Sequence, residues 1–428
     1  MDKDIMAVEE LAKQGDAAAQ FKMGEAYLFG DGVEQNYSQA ALWFTKAAEQ
    51  GHADAQNDLG NMYFDGCGVE KNDSQAVLWY TKAAEQGDAL SQFLLGSLYA
   101  NGQGVEKNYS QAVFWYKKAA EQGDADAQYL LGWHYADGDG VQQSDSQAVF
   151  WYTKAAEQGK VAAQLSLGNM YFEGRGVEQN YSQAVSWYTK AAEQGDAVAQ
   201  LKLGNAYFSG RGVEQNYSQA VSWYTKAAEQ GDADGQYVLS LLYAEGSGVQ
   251  QDDNQAMFWR TKAAEHGHAE AQLKLGHAYL IGRGVEQNHS QAVFWYTKAA
   301  EQGHANAQNS LGNAYLEGVG VEQNDSQAIF WHAKAAEQGY APAQYNLGNA
   351  FLNGRGVEQN DSQSLLWYTK AAEQGYADAQ NNLGVSYLRG IGCEQNVSQA
   401  AFWLNKAAEQ GHVTAQQTLD ELRNLGFI

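Results

Sequence analysis

One spacing constrains this sequence more than any other feature. The segment Lys-Ala-Ala-Glu-Gln-Gly, or a near copy of it, returns every 36 residues without an insertion or a deletion. Its final glycines are Gly15, Gly51, Gly87, Gly123, Gly159, Gly195, Gly231, Gly267, Gly303, Gly339, Gly375 and Gly411. Because a fixed period of this size is typical of repeat architectures, we expect stacked copies of one small structural unit.

The first half of each unit predicts a helix. Counting the glycine as position 0, Gln stands at +5, an apolar residue at +8, Gly at +9 and Tyr at +12. These offsets lie on one face of a helix with 3.6 residues per turn. In one unit the four residues are Gln56, Leu59, Gly60 and Tyr63. We expect Gly66 to end this helix in the left-handed conformation.

The second half of each unit predicts another helix. Asn72 is placed to cap its first turn, and Gln75 stands at the third helical position of a capping box. The buried stripe combines Trp79 and Tyr80 with small alanines that permit close helix packing. Gly87 ends the helix, so the repeated six-residue segment is a helix end followed by its terminator.

Two such helices, each about 13 residues or roughly 20 Å long, cannot bury a Trp and a Tyr by themselves. Stacked on neighbouring pairs they can. We therefore predict an all-α fold, a right-handed α-solenoid superhelix of about eleven 36-residue helix-turn-helix repeats. The repeats are expected over 16–411, with polar capping helices in 1–15 and 412–428.

The segment AQNDLGNMYFDGCGVEKNDSQAVLWYTKAAEQG, residues 55–87, resembles the Sel1-like repeat. That pattern is A-x-x-LG-x-x-Y-x-x-G-x-GV followed by A-x-x-WY-x-KAAEQG, and the resemblance extends over 16–411. It implies tetratricopeptide-like helix pairs that serve as a protein-interaction scaffold, most often in bacterial signalling, secretion or host-contact proteins.

The charge of the chain limits the classes of partner that it can bind. With 51 Asp and Glu against 27 Lys and Arg, the formal net charge is −24. Such a surface repels phosphate backbones and anionic lipids, so we expect a protein or peptide ligand, no nucleic acid and no membrane insertion. The acidic opening lacks a signal-peptide pattern, which predicts a cytoplasmic chain unless a leader was removed.

No set of residues predicts catalysis, a cofactor or a metal site. The Gly-rich loops, such as 174–177, follow a helix rather than a strand, so a nucleotide-binding context is absent. Residues 137–146 resemble a calcium-binding loop in composition. Their glycines recur at the same positions in every repeat, which favours a solvated turn. Some cysteine-rich relatives of the Sel1-like repeat bind or slowly hydrolyse β-lactams, and those carry a cysteine pair in each repeat. This chain has only Cys67 and Cys393.

Positions that vary between units are the candidates for function. The face opposite the invariant stripe of the first helix contains +3, +7, +10 and +14. By resemblance to tetratricopeptide arrays this face lines the concave groove. The candidate groove residues are Asp54, Asp58, Asn61, Leu94, Leu130, Trp133, Asp137, Asn169, Asn205, Leu241, His277, Asn313 and Asn349.

Two departures from the repeat stand out. Trp133 lies outside the framework and is either a binding hot spot or a structural residue packed on Tyr129 or Leu94. Arg260 takes the place of the usual Tyr, and Ser240 replaces the first-helix glycine of the same unit, which favours local repacking between neighbouring units.

These patterns favour a non-enzymatic scaffold that holds a protein or peptide in its groove. An inhibitor or immunity-type protein that masks a basic toxin or effector is the alternative within the same class. A β-lactam-binding or hydrolytic enzyme is the alternative from a different class.

Overall fold

The computed structural model describes residues 3–428, so residues 1–2 of the predicted N-terminal capping segment lie outside the described chain. Residues 3–428 form 24 α-helices and contain no β-strand. They fall into two compact units, 3–215 and 216–428. The predicted all-α repeat architecture is confirmed.

The first unit contains twelve helices. They are α1 (Lys3–Lys13), α2 (Ala17–Phe29), α3 (Tyr37–Glu49), α4 (Ala53–Asp65), α5 (Asp73–Glu85), α6 (Ala89–Asn101), α7 (Tyr109–Glu121), α8 (Ala125–Asp137), α9 (Asp145–Glu157), α10 (Val161–Glu173), α11 (Tyr181–Glu193) and α12 (Ala197–Ser209). From α2 onward, even-numbered helices are the first helices of the repeats and odd-numbered ones are the second helices.

The second unit contains the other twelve. They are α13 (Tyr217–Glu229), α14 (Ala233–Glu245), α15 (Asp253–Glu265), α16 (Ala269–Ile281), α17 (His289–Glu301), α18 (Ala305–Glu317), α19 (Asp325–Glu337), α20 (Ala341–Asn353), α21 (Asp361–Glu373), α22 (Ala377–Arg389), α23 (Val397–Glu409) and α24 (Val413–Asn424). None of the helices in 3–428 combines the length and the apolar character that crossing a membrane requires.

Side chains and glycines set the helix ends where the sequence predicts them. The Asn72 side chain accepts a hydrogen bond from the Gln75 backbone N–H at 3.0 Å and so caps α5. Gly66 follows α4 with φ 75°, a left-handed conformation that suits glycine. Gly87 has φ 100° and follows the end of α5. The predicted Asn cap and glycine terminators are confirmed. The reciprocal bond of the predicted capping box is not formed, because the Asn72 backbone N–H donates to the Tyr63 carbonyl at 2.8 Å instead.

The hydrophobic core is built from helices of successive repeats, as one cluster of the first unit shows. Trp79 of α5 packs in one buried cluster with Phe44 of α3 and Leu59 of α4. Within the α4–α5 pair the helices approach closely, because a Cβ added to Gly60 would lie 2.7 Å from the Tyr80 ring. A glycine on the first helix therefore accommodates a tyrosine on the second, and the Trp joins that pair to the repeat before it.

A buried glutamine joins three consecutive helices. Gln56 is 3% exposed, and its Nε2 donates to the Ala48 carbonyl at the end of α3 at 3.0 Å. Its Oε1 accepts from Nε2 of Gln86, the glutamine of the repeated segment, at 2.7 Å. Equivalent paired bonds centre on Gln20, Gln92, Gln128, Gln164, Gln272, Gln308, Gln344 and Gln380. We call this arrangement the glutamine clamp.

The other residues of the repeated segment also have packing roles. Lys82 Nζ lies 4.1 Å from the centre of the Trp79 ring, an attractive cation–π arrangement. Ala83 and Ala84 are almost completely buried. The lysine, the two alanines, the glutamine and the terminating glycine of the segment are therefore structural, whereas Glu85 is exposed.

We expect Gln128→Ala to lower the free energy of unfolding by about 1–3 kcal/mol, the usual cost of leaving buried polar groups without partners. The change removes the bonds from Gln128 to the Ala120 carbonyl and from Gln158 to Gln128. Guanidinium unfolding followed by circular dichroism measures this loss. Gln111→Ala is the control because its side chain is exposed on α7. Equal destabilisation by both changes would contradict the role of the glutamine clamp.

Candidate protein-interaction face

The predicted groove positions lie on the first helices with different degrees of exposure. Asp54, Asp137 and Asn205 are exposed. Asp58, Asn61, Asn169, Leu241, His277, Asn313 and Asn349 are partly buried. We call the +3, +7, +10 and +14 positions of these helices the first-helix face.

The apolar members of the first-helix face differ from one another. Leu94 and Leu130 are partly buried and pack against core clusters of the first unit. Trp133 is 39% exposed, and its ring meets the buried His134 ring edge-on with the centroids 4.9 Å apart. Trp133 thus presents a large apolar surface to solvent, whereas the two leucines are largely used by the core.

Asparagines at +10 are bonded to the tyrosines of the second helices. The phenolic hydroxyls of Tyr80 and Tyr188 donate to Oδ1 of Asn61 and Asn169 at 2.7 and 2.8 Å. Burial raises the pKa of Tyr80, so its phenol stays protonated and remains a donor. Tyr368 and Asn349 form the same bond at 2.6 Å. These asparagines therefore support the framework as well as facing outward.

A second set of amide bonds lies within the first helices and between neighbouring ones. Asn57 Nδ2 donates to Ser91 Oγ at 2.8 Å, and Asn61 Nδ2 donates to Asn57 Oδ1 at 3.1 Å. In the second unit Asn346 Nδ2 contacts Oδ1 of Asn313 at 3.1 Å. The sequence prediction assigned the amides of this face to a ligand, and it missed that several of them bond to one another.

Carboxylates gather at the start of the first-helix face. Burial raises the pKa of Asp58 to about 6, and the negative charges of Glu25, Asp54 and Asp88 add to this rise. An anion surrounded by anions is destabilised, and a bound cation would relieve that repulsion. This part of the face is suited to a Lys or Arg side chain of a partner.

Three successive niches line the first-helix face of the second unit. The first has a volume of about 340 Å³ and brings Leu241 and His277 together. The second, about 260 Å³, joins His277 and Asn313, and the third, also about 260 Å³, contains Asn349. Each niche lies between two first helices and the second helix that separates them in sequence. The first two niches thus link Leu241, His277 and Asn313, while Asn349 lies in a separate niche.

Sequence reasoning missed other members of the first niche. Arg260, Met257 and Arg283 line it beside Leu241 and His277. The sequence feature that could have indicated this niche is that Ser240 and Arg260 both replace framework residues within one repeat. Local repacking between neighbouring repeats accounts for both replacements, so the sequence provides no reason to place them in one cavity.

The next features are the possible metal ligands and the two cysteines. Within residues 3–428 no group of three or more His, Cys, Asp or Glu side chains is arranged to hold a metal ion. Cys67 and Cys393 are both free thiols. The paired cysteines that the β-lactam alternative would need are not in the sequence.

Comparison with protein families decides the relationship suggested by the repeat. The family model described as Sel1 repeat matches eleven successive segments. They are 17–52, 53–88, 89–124, 125–160, 161–196, 197–232, 233–268, 269–304, 305–340, 341–376 and 377–412. The chain belongs to the Sel1 repeat family. The matched Sel1 repeats begin and end one residue later than the range expected from the sequence.

Solved structures of other Sel1 repeat proteins are similar to this one. A protective antigen present in uropathogenic Escherichia coli strains is 39% identical with a TM-score of 0.74, and the match covers 99% of this chain and 91% of that chain. A Sel1 repeat protein from Oxalobacter formigenes is 36% identical with a TM-score of 0.63, covering 72% and 89% respectively.

Immunity protein Pa5087 from Pseudomonas aeruginosa also matches, at 24% identity over 50% of this chain and 81% of that chain. Its TM-score is 0.29, which is too low to bear on function. No curated protein sequence matches this Sel1 repeat chain.

We expect Asp58→Asn to raise the melting temperature at pH 7.5 and to have little effect near pH 3. The folded-state pKa of about 6 lies above the ordinary value of 3.8. Ionised Asp58 therefore opposes folding at high pH, and this cost fades as the pH falls from about 6 through 3.8. Thermal melts across this pH range measure the effect. Exposed Asp137→Asn is the control, and a pH-independent difference for Asp58→Asn would contradict the strained carboxylate.

Proposed function

We propose that this Sel1 repeat protein is a non-enzymatic scaffold that holds a protein or a peptide on its first-helix face. The observation that carries the proposal is the contrast between a repeated buried framework and a face whose residues differ between repeats. Positions such as Gln56 and Gly60 are buried in the same contacts from repeat to repeat. Residues such as Asn61, Trp133 and His277 share position +10 but not a chemistry.

The chemistry of the face suits a peptide rather than a small molecule. Niches of about 260–340 Å³ follow one another along the second unit, spaced by one repeat. Successive niches can receive successive side chains of one segment, while an exposed amide such as Asn353 can bond to its backbone. This arrangement supports an extended or helical ligand.

Trp133 is the proposed anchor in the first unit. Exposed tryptophans contribute strongly to protein interfaces because they bury a large apolar area at little entropic cost. Trp133 stands at position +10 of α8, and Leu94 stands at position +7 of α6, one repeat earlier. The leucines supply apolar flanks, and the exposed indole supplies the contact.

A second candidate function is the masking of a basic protein. Asp58 with its raised pKa, together with Glu25, Asp54 and Asp88, supports it, since a cationic partner would neutralise a cluster that repels itself. The net charge of −24 would accelerate the approach of such a partner. An inhibitor or immunity-type protein would act in this way.

Affinity capture from native lysate with mass spectrometry identifies the partner, and interferometry then measures its dissociation constant. We expect Trp133→Ala to weaken binding about tenfold or more, as hot-spot truncations do, without changing the melting temperature. Phe150→Ala is the matched control because Phe150 is an exposed aromatic residue of the second helix α9. If both variants bind the captured protein as tightly as the native chain, the proposed anchor is wrong.

Salt dependence separates the two candidate functions. Charge-led masking of a basic protein should weaken steeply between low and high salt, because screening reduces attraction between opposite charges. The double variant Asp54→Asn with Asp58→Asn should flatten that dependence. If capture of the partner is unaffected by salt and by this double variant, masking of a basic protein is excluded and the peptide scaffold remains.

A further inference from the structure

Two departures from the Sel1 framework in the second unit depend on each other physically. In a regular repeat, a Cβ added to Gly276 would lie 2.6 Å from the Tyr296 ring. Ser240, which replaces the glycine on α14, is completely buried and donates to the Tyr237 carbonyl at 2.6 Å. A side chain there is compatible only with a second helix that lacks the ring, and on α15 the ring is replaced by Arg260.

The loop after α16 also lacks a bond that several other repeats make. In the first unit Ser74 Oγ donates to the Gly104 carbonyl of the next repeat at 3.0 Å and so fastens the loop to the second helix. Asn254 stands at the position of that serine on α15. A Cβ added to Gly284 in the loop would have only Met257 Cε near it, at 2.9 Å. The loop therefore stands away from the α15 backbone.

An ion pair that fastens the same loop elsewhere is not formed here. Arg355 Nε donates to Asp325 Oδ1 at 3.0 Å, and Arg355 also donates to the Leu316 carbonyl at 2.7 Å. Arg283 and Asp253 occupy the corresponding positions. Within residues 3–428 Arg283 forms no ion pair with Asp253 or with another carboxylate. The Arg283 guanidinium is thus available to a ligand.

Together these changes produce the largest of the three niches, and its lining contains more positive than negative side chains. Arg260, Lys274, His277 and Arg283 line the cavity of about 340 Å³. The Arg260 Nε is buried and has no acceptor among the described residues. A buried donor of this kind is costly unless an acceptor reaches it. The neighbouring niche around Tyr296 contains no Lys or Arg in its lining.

The charge of the cavity matches a single negative charge. Arg260, Arg283 and Lys274 supply three positive charges, while Asp253 in the lining and Glu270, 3.3 Å from Lys274 Nζ, supply two negative ones. One positive charge is in excess. Burial lowers the pKa of His277, so its imidazole is neutral at pH 7 and adds no charge. A monoanion fits this balance better than a phosphate dianion.

The rest of the lining is apolar. Leu241, Met257 and Ile281 form one wall with alanines of α15 and α16, and Ile281 is 64% exposed. An anion that enters the cavity would therefore place its neighbouring atoms against hydrocarbon. The ligand that suits this cavity is a carboxylate with an apolar group on the adjoining atoms.

We propose that this cavity is a subsite for such a carboxylate, with Arg260 and Arg283 as its hydrogen-bond donors and the apolar wall as the seat of the adjoining side chain. A free small carboxylate and the C terminus of a bound peptide both present this chemistry. Only the assignment to a peptide terminus rests on the proposed scaffold function.

Calorimetry and thermal melts of the full chain with N-acetyl-L-leucine test the subsite. We expect binding and a higher melting temperature with this carboxylate, and neither with the matched uncharged N-acetyl-L-leucinamide. Equal effects of the acid and the amide would overturn the role of the carboxylate. Tighter binding of inorganic phosphate than of N-acetyl-L-leucine would overturn the choice of a monoanion.

Two variants locate the binding. Arg260→Gln should weaken N-acetyl-L-leucine binding about tenfold or more, the usual effect of losing a charge-assisted hydrogen bond. The double change Ser240→Gly with Arg260→Tyr restores the regular framework, so it should fold at least as well as the native chain and also lose binding. Retained affinity in this double variant would place the ligand elsewhere and refute the proposal.

Arg355→Gln is the matched control, because Arg355 occupies the same loop position as Arg283 but is already engaged by Asp325. It should leave the affinity unchanged, whereas Arg283→Gln should lower it. Equal losses in the two variants would show a general charge effect and contradict the subsite.

A hexapeptide that ends in leucine identifies the source of the carboxylate. Affinity at least tenfold above that of N-acetyl-L-leucine supports a peptide terminus, whereas equal affinity supports a free small carboxylate. Trp133→Ala, in the other unit, should change neither value. The two proposals can fail separately. If Trp133→Ala leaves partner capture unaffected while the native chain binds N-acetyl-L-leucine, the subsite is upheld and only the proposed anchor is rejected.

Discussion

The glutamine clamp is the interaction on which the rest of this structure depends. Each clamp joins the end of one second helix, the following first helix and the second helix after that, through bonds such as Gln56 to Ala48 and Gln86 to Gln56. These amides are buried, so a shift in register would leave several polar groups without partners at once. A change in repeat length would break the clamp, which accounts physically for a period of 36 residues without insertions.

The clamp also separates the parts of the repeat that can vary from those that cannot. The glutamine, the glycine that faces the tyrosine, and the alanines at the helix end are fixed by contacts between helices. The first-helix face is less constrained, but it is not fully free, because Asn61 serves Tyr80 and Asn57 while it faces outward. Ligand-binding groups must therefore share the face with framework groups.

Departures from the framework are informative, above all where two facing residues change together. Ser240 is tolerated where Arg260 has removed a tyrosine ring, and the freed volume becomes a niche with unpaired donors. His332 is a milder case: it occupies the tyrosine position of another repeat, contacts Asn313 Oδ1 at 3.0 Å, and burial lowers its pKa to about 4. The first departure changes the chemistry of the niche, while the second preserves its hydrogen bond.

The sequence by itself determined the period, the two helices of each repeat, their caps at residues such as Asn72 and their terminators at residues such as Gly87. These features depend on side chains within about one helical turn, or on one periodic stripe. Only the tertiary structure decided which polar groups remain for a ligand. The partners of Asn61, Gln56 and Arg283 lie on other helices, often in the adjacent repeat, and packing between helices determines whether they meet.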